Sequence, residues 1–382
     1  MTVLACGSNA FRQIADSDEL ALSHVVALPD AAALEAASWS QSIVRDPNGE
    51  LRCLGLPIGG GIPSARIKRW LGHDQFEATL DEHGVLRVLG GDVTPGAYER
   101  VEMSGRGELV AASSASPLRS SRVPDLTMHT AKDCRNDQAR GSRTGALQIY
   151  DTLADAYSDG AGVELCVPVD IQRSSTGRHL DPVPHRVTSL ASGAAHFLIL
   201  IAGGPQEGAS SVYAFGDSRY GQAGAGAPPA RRDEDGRLAQ AAALRSLEFF
   251  DGLGAAEVSC GSFHSAVVTR QGAFVFGSNK DGQLGAGDAP GEAEPVLVEL
   301  PDEGEYEEVK QVACGGAHSV VLTNGGQVWV AGANHDGQLG VGDLLPRRTW
   351  VRNIAVEEAA RADGKRIKRV VCTRASTYFE CA

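Results

Sequence analysis

Cys260 with His264 and Cys314 with His318 form two Cys-x-x-x-His pairs in a chain of 382 residues. A thiolate and an imidazole four residues apart are donors of the kind that hold zinc. A second stretch with chemical promise is AFVFGSNKDGQLGAGD, Ala273 to Asp288, where glycines follow a short apolar run. A phosphate-gripping loop would need a Lys and then Ser or Thr after its glycines, and GQLG supplies neither. GGGIPSAR, which follows Ile58, fails for the same reason. A calcium loop fails because the alternating acids and the closing Glu are missing.

Neither stretch is unique, and the repetition decides how both are read. VYAFGDSRYGQAGAG (from Val212), AFVFGSNKDGQLGAGD and VWVAGANHDGQLGVGD (from Val328) are three copies of one pattern. Each follows a second shared element: LASGAAHFLIL, VSCGSFHSAVV and VACGGAHSVVL, starting at Leu190, Val258 and Val312. The unit is therefore an inner element, a turn, an alternating strand and a glycine-rich turn. Fainter copies occupy Ala36 to Gly55 and Trp70 to Gly91, and between Tyr98 and His185 the pattern decays. Within that decayed part, residues 114–142 are polar and turn-rich, as expected of a long exposed loop.

The two ends carry half-units. TVLACGSNAFRQI, from Thr2, holds only the second half, and IKRVVCTRASTYFECA, from Ile367, holds only the first. Two complementary halves make one whole unit if the chain closes into a ring, whereas an open solenoid would need capping repeats instead. Each unit is too short to bury its own apolar face, and radial packing of small sheets solves that problem. The expectation is an all-β, seven-bladed β-propeller filling residues 1–382 as a single domain, one blade being shared by the N- and C-terminal half-repeats.

Alignment of the inner elements weakens the zinc reading. The histidine column holds Gln41, Gln75, His196, His264, His318 and Ser376, and the partners four residues earlier include Ala37, Leu71 and Ser192. Such pairs cannot form a ligand set, so these positions are expected to be structural, their shared hydrogen-bonding capacity satisfying buried backbone groups. Cys260, Cys314 and Cys372 are expected to be small core residues. In the glycine-rich turn, Gly282 provides a position where a positive φ is affordable, and Asn279 is of a type that tolerates the same geometry. Gln283 is placed to bond the turn's own backbone, and Leu284 to plug the seam to the next blade.

Bulk properties restrict the partners. The formal net charge of −13 disfavours direct binding of nucleic acid, which depends on clustered Lys and Arg. The charge is uneven: Asp281 to Glu308 carries ten acids and no Lys or Arg. The N-terminus lacks a secretory pattern, and no apolar run reaches the roughly 20 residues needed to cross a bilayer. Eight dispersed cysteines fit a reducing compartment, cytoplasmic or nuclear. No nucleophile elbow, dinucleotide fingerprint, kinase or protease signature is present, so no enzymatic activity, cofactor or metal is expected.

The paired elements CGSFHSAVVTRQGAFVFGSNKDGQLGAGD and CGGAHSVVLTNGGQVWVAGANHDGQLGVGD resemble the repeats of the regulator-of-chromosome-condensation family. The resemblance runs from Val187 to Asp343 and includes both termini, with fair agreement over Ala36 to Gly91. It implies a seven-bladed propeller, and the divergent N-terminal repeats are most similar to small stand-alone members, the fungal alpha-tubulin-suppressor-like proteins and single-propeller animal members. The family's founder is an exchange factor for a Ran-type small GTPase and docks on chromatin. The alpha-tubulin-suppressor-like branch pairs with a small zinc protein and supports tRNA wobble-uridine modification and diphthamide synthesis. An ultraviolet-sensing branch needs stacked tryptophans, and Trp39, Trp70, Trp329 and Trp350 occupy different repeat positions. The resemblance thus implies a protein-binding scaffold, with nucleotide exchange or chromatin-linked regulation as the alternative. The residues that the repeat leaves free lie at the turn tips: Phe11 beside Ala10, Arg219 and Tyr220, Lys280 and Asp281, His335 and Asp336. Exposed loops on a rigid frame commonly carry binding, and aromatic and Arg side chains dominate interface energy.

Overall fold

A computed structural model of the chain describes residues 2–58, 61–63, 66–89, 98–105, 109–113, 129–130, 146–150, 163–166, 186–202, 210–224, 245–289, 291–301 and 307–382. Short strands joined by glycine turns give six sheets of sequence-consecutive strands. The first holds Ala33–Ala37, Gln41–Arg45 and Leu51–Gly55, and the second Ile67–Leu71, Ala78–Asp81 and Leu86–Val88. The third contains Tyr98–Met103, Leu109–Ser113, Ala146–Tyr150, Val163–Cys166 and His129–Thr130. The last of these strands falls inside the stretch expected to be a loop, whose remaining residues lie outside the described ones. The fourth sheet runs Arg186–Ser192, His196–Ala202, Ser210–Gly216 and Arg245–Ser246. The fifth is Glu257–Cys260, His264–Thr269, Gly272–Gly277 and Glu292–Leu297, and the sixth Val309–Cys314, His318–Thr323, Val328–Gly332 and Arg347–Arg352.

A closing sheet joins the two ends of the chain. Its order is Ala21–Ala27, Thr2–Ser8, Ser376–Cys381 and Ile367–Cys372, and Thr2 pairs with Cys381 while Gly7 pairs with Ser376. The two half-units are therefore one sheet, as the sequence requires of a ring, and the architecture is an all-β propeller.

The core is divided among the seams between neighbouring sheets. Leu198, Val212 and Ala214 pack on Val258, Val267 and Phe276 across one seam, and Val275 and Leu284 on Val312, Trp329 and Trp350 across the next. Leu4 and Cys6 of the closing sheet meet Val320 and Val330 of the sixth, and on its other flank Val3 and Ile14 meet Leu34 and Val44 of the first. Alternation explains this arrangement: successive side chains of a strand point to opposite faces, so each sheet feeds the seam on either side.

At one end of the ring, the turns after the innermost strands are tied to each other by backbone hydrogen bonds. Gly105 N–H donates to Gly193 O, Ala194 to Ser262 O, Ser262 to Gly315 O and Gly316 to Arg374 O, at 3.0, 3.3, 3.2 and 3.1 Å. On the N-terminal side, Trp39 donates to His73 O and Ser40 to Asp74 O. These bonds satisfy turn groups that would otherwise be unpaired in a crowded centre, and they fix the end of the ring on which the glycine-rich turns also stand.

Candidate protein-binding surface

Each glycine-rich turn is built by two side chains. In the fifth sheet, Gln283 Oε1 accepts the Asp281 N–H at 2.9 Å and Asn279 Oδ1 accepts that of Leu284 at 3.0 Å. The same pairs recur as Gln338 with Asp336 and Asn334 with Leu339, and as Gln13 with Phe11 and Asn9 with Ile14. In the fourth sheet Gln222 accepts from Tyr220, and Ser218 takes the Asn position. Asn279 thus serves through its amide, which also donates to Gly287 O and Ala289 O, and its own φ is not positive. Left-handed geometry falls instead on Gly221, Gly282 and Gly337, at φ 80, 86 and 79°, and on Arg12 at 56°.

This template buries Asn279, Gln283 and Leu284 and leaves the tips outside. Lys280, His335, Arg219 and Tyr220 are exposed, whereas Phe11, Asp281 and Asp336 are half-buried. Burial pushes the Asp336 carboxyl up, with His335 and Arg374 opposing the rise. Two tips are aromatic, and each stacks on a residue from the inner turn of the next sheet. Phe11 meets Trp39 edge-on and Tyr220 meets Phe263, both with centroids 5.3 Å apart. Arg219 lies 5.9 Å from the Tyr220 ring centre and bonds Asp217 at 2.7 Å. Arg374 stands 5.0 Å over Trp39 and 3.6 Å from Asp74. Trp39, Phe263, Arg374 and Asp74 therefore stand beside the tips on inner turns, and the sequence did not single them out. The available signal was their size, since equivalent turn positions hold Gly316, Ala194 and Ala317.

The histidine column lies behind this surface. His196, His264 and His318 are fully buried, and their Nε2 atoms meet Ser265 Oγ, Ser319 Oγ and Thr377 Oγ1 of the following sheet at 2.9, 2.9 and 3.0 Å. Each hydroxyl in turn donates to a turn carbonyl, of Gln222, Gln283 or Gln338, at 2.7–2.8 Å. A hydroxyl that gives its only proton to a carbonyl must receive one from the ring, so Nε2 carries the hydrogen. The Nδ1 atoms have no partner, and burial pushes the imidazoles down to about 3, about 4 and about 3.

Gln41 keeps the same role with other atoms, donating to Leu56 O and accepting from Phe76 N–H, and Ser376 donates to Ser8 O. Gln75 does not: it is exposed. Leu71 pairs with Ala78, whereas Cys260 pairs with Ser265, so the second sheet's turn is two residues longer and the column position passes to Glu77.

Each Nε2 is committed to a hydroxyl and burial pushes the Cys260 and Cys314 thiols up, the latter to about 12, so both residues of each pair act in packing and hydrogen bonding. Among the described residues, no three His, Cys, Asp or Glu side chains converge to hold a metal.

The innermost strands enclose a cavity of about 750 Å³ along the ring's centre. Within it Ser192 Oγ donates to Glu102 at 3.4 Å, Arg69 pairs with Glu102, and His73 Nε2 lies 3.3 Å from Ser192 Oγ. The His73 Nε2 is also 2.8 Å from Met103 O, so it bears the proton and cannot take one from Ser192. The cluster braces three inner strands and lacks the order of a hydrolytic triad.

Two sequence models described as "Regulator of chromosome condensation (RCC1) repeat" match this chain, one over residues 272–322 and the other over 255–283 and 309–338. Residues 255–338 of this propeller thus carry RCC1 repeats. The first matched repeat starts in the third strand of the fifth sheet and ends in the second strand of the sixth, so one sequence repeat spans two sheets. Human X-linked retinitis pigmentosa GTPase regulator is 45% identical over 94 residues, 24% of this chain and 9% of that protein. Human WBSCR16 superposes over all of both chains with a TM-score of 0.63 at 16% identity. Prp20p of Saccharomyces cerevisiae, described with its binding to Gsp1p and histones, covers all of this chain and 91% of its own with a TM-score of 0.64 at 14% identity. At such identities, the two structures speak for the RCC1-propeller fold alone. Among the described residues no helix is long and apolar enough to cross a membrane.

Proposed function

We propose that this RCC1-repeat propeller is a non-enzymatic scaffold that binds other proteins through the end bearing its glycine-rich turns. The closing sheet is counted as the seventh blade in this reading. The observation that carries it is Tyr220, 52% exposed on a turn whose backbone is fixed by Gln222 and Ser218. A large aromatic held rigidly in water loses little entropy on binding, and with Arg219 beside it forms the kind of anchor that dominates interface energies. Partners of this class include a small zinc protein, and the cellular role includes an adaptor in tRNA wobble-uridine modification or diphthamide synthesis, in cytoplasm or nucleus. Affinity purification of wild-type chain should recover a stoichiometric protein partner that Arg219→Ala with Tyr220→Ala releases at unchanged thermal stability. Equal recovery by both would remove these residues from the surface.

A second reading, exchange on a small GTPase, is favoured by the acidic run from Asp281 to Glu308 and by the similarity to a GTPase regulator. In that case substoichiometric chain should accelerate release of labelled GDP from a Ran-type GTPase. An unchanged release rate refutes it.

A further inference from the structure

The first sheet ends at Leu51–Gly55, with no strand beyond it among the described residues. Chain length explains the shortfall. Only residues 56–66 separate this strand from the next sheet, whereas residues 278–308 separate the corresponding points of the fifth and sixth sheets, enough for a glycine-rich turn and a fourth strand.

The register shows what the missing strand would have met. Ile43 pairs with Cys53 and Gln41 with Gly55, as Ala266 pairs with Val275 and His264 with Gly277. In the fifth sheet, Val275 and Gly277 turn outward to hold the fourth strand at Val296 and Glu292; in the sixth, Val330 and Gly332 hold Val351 and Arg347. The Leu56 N–H donates to Ser40 O, as the Ser278 N–H does to Phe263 O, which fixes the same phase. Cys53 and Gly55 thus direct their backbone groups to the open side.

The wall of the slot is already built. In a complete seam, the glycine-rich turn of one sheet lies on the fourth strand of the next. A Cβ on Gly221, Gly282 or Gly337 would come within 2.5, 2.6 and 2.4 Å of Ala293, Arg348 and Leu22, all fourth-strand backbone. The turn of the closing sheet, Asn9 to Asp18, faces the first sheet, and there Arg12 stands in the glycine position with a positive φ of 56°. Among the described residues no strand lies against it, which leaves space for a side chain. Further along, Gly287 N–H donates to Arg348 O at 2.9 Å and Asp288 pairs with Arg348 at 3.3 Å. Ser17 and Asp18 hold those two positions beside the first sheet. Asp18 there pairs, among the described residues, only with Arg12, at 2.5 Å with its side chain 93% exposed, and Asp16 and Glu19 add acid. Where Gly285 admits the Trp350 ring, Ala15 leaves room for a smaller group, packed near Leu54.

We infer that the edge Leu51–Gly55, together with the turn Asn9 to Glu19, takes up an extended segment of another protein as the fourth strand of the first sheet. The segment carries an aliphatic residue against Ala15 and a Lys or Arg against Asp18. Main-chain bonds to Cys53 and Gly55 would give affinity and the two side chains specificity.

The site is distinct from the turn tips, and the test separates the two. The probe is a synthetic peptide copying residues 346–353 with Val in place of Trp350, titrated into the full chain and followed by anisotropy and by amide hydrogen exchange. Saturable binding with new protection at Cys53 and Gly55 is expected. Asp18→Lys should weaken it roughly three- to fivefold, and a peptide with Glu in the Arg348 place should recover that loss on the Asp18→Lys chain. Cys53→Pro, which removes an outward N–H and no bond within the sheet, should abolish it, while Arg219→Ala with Tyr220→Ala leaves it intact. Absence of protection at Cys53, or equal binding by Cys53→Pro with its thermal unfolding unchanged, overturns the proposal. So does a concentration-dependent dimer that Cys53→Pro dissolves, which would place a second copy on this edge.

Discussion

Acidification should unlock the ring at its buried histidines, and one substitution isolates the effect. His196, His264 and His318 are held neutral by burial, with pKa values near 3, 4 and 3 in the folded chain against about 6.5 when unfolded. The folded state therefore binds fewer protons, so the contribution is complete above about pH 6.5 and is lost as pH falls toward the folded values. At pH 5 each unfolded imidazole gains about 2 kcal/mol from protonation, hence about 6 kcal/mol for the three, a large part of the stability of an ordinary domain. Glu102 and Glu257, pushed up chiefly by burial, act in the opposite sense at lower pH. His264→Gln separates the contributions, because Gln41 already serves this column in the first sheet. Urea unfolding followed by tryptophan fluorescence at pH 7.5 and 5 should show the variant losing about 2 kcal/mol less than wild type over that interval. Equal losses would refute the assignment of a neutral, Nε2-protonated imidazole.

Two further perturbations test the turn geometry. Arg12→Gly relieves a left-handed non-glycine residue, and its ion pairs with Asp16 and Asp18 are exposed and weak, so the variant should gain about 1 kcal/mol in urea unfolding. Gly261→Ala places a methyl 2.1 Å from His264 Cε1 and 2.4 Å from Gly315 O; it should cost roughly 1–3 kcal/mol and lower the melting temperature.

The ring and its closure were legible because a period written in glycines and alternating apolar residues survives in the two half-units at the termini. The turn template was partly legible. Gln283 and Leu284 act as their types suggest, while Asn279 shows that a residue tolerant of left-handed geometry can be used for its amide alone. Gln75 was misplaced because a turn lengthened by two residues keeps the sequence spacing and moves the side chain into solvent. Trp39, Phe263 and Arg374 escaped notice because a surface shared by two sheets is assembled from turns far apart in the chain, and no periodicity records which turns meet. Arg12 carried a usable signal: a non-glycine stands in a glycine column where no described strand lies against the turn.

The closing sheet also dictates an order of events. Thr2 cannot find Cys381 until every residue between them has been synthesised, and bringing two such distant segments together costs about 5 kcal/mol of loop entropy beyond a constant. Until then Thr2–Ser8 lacks its neighbour Ser376–Cys381 and leaves an open edge of the kind that invites wrong pairing. The strand at Ser376–Cys381 is therefore the one that locks Thr2–Ser8, and a chain that lacked it would leave the ring open.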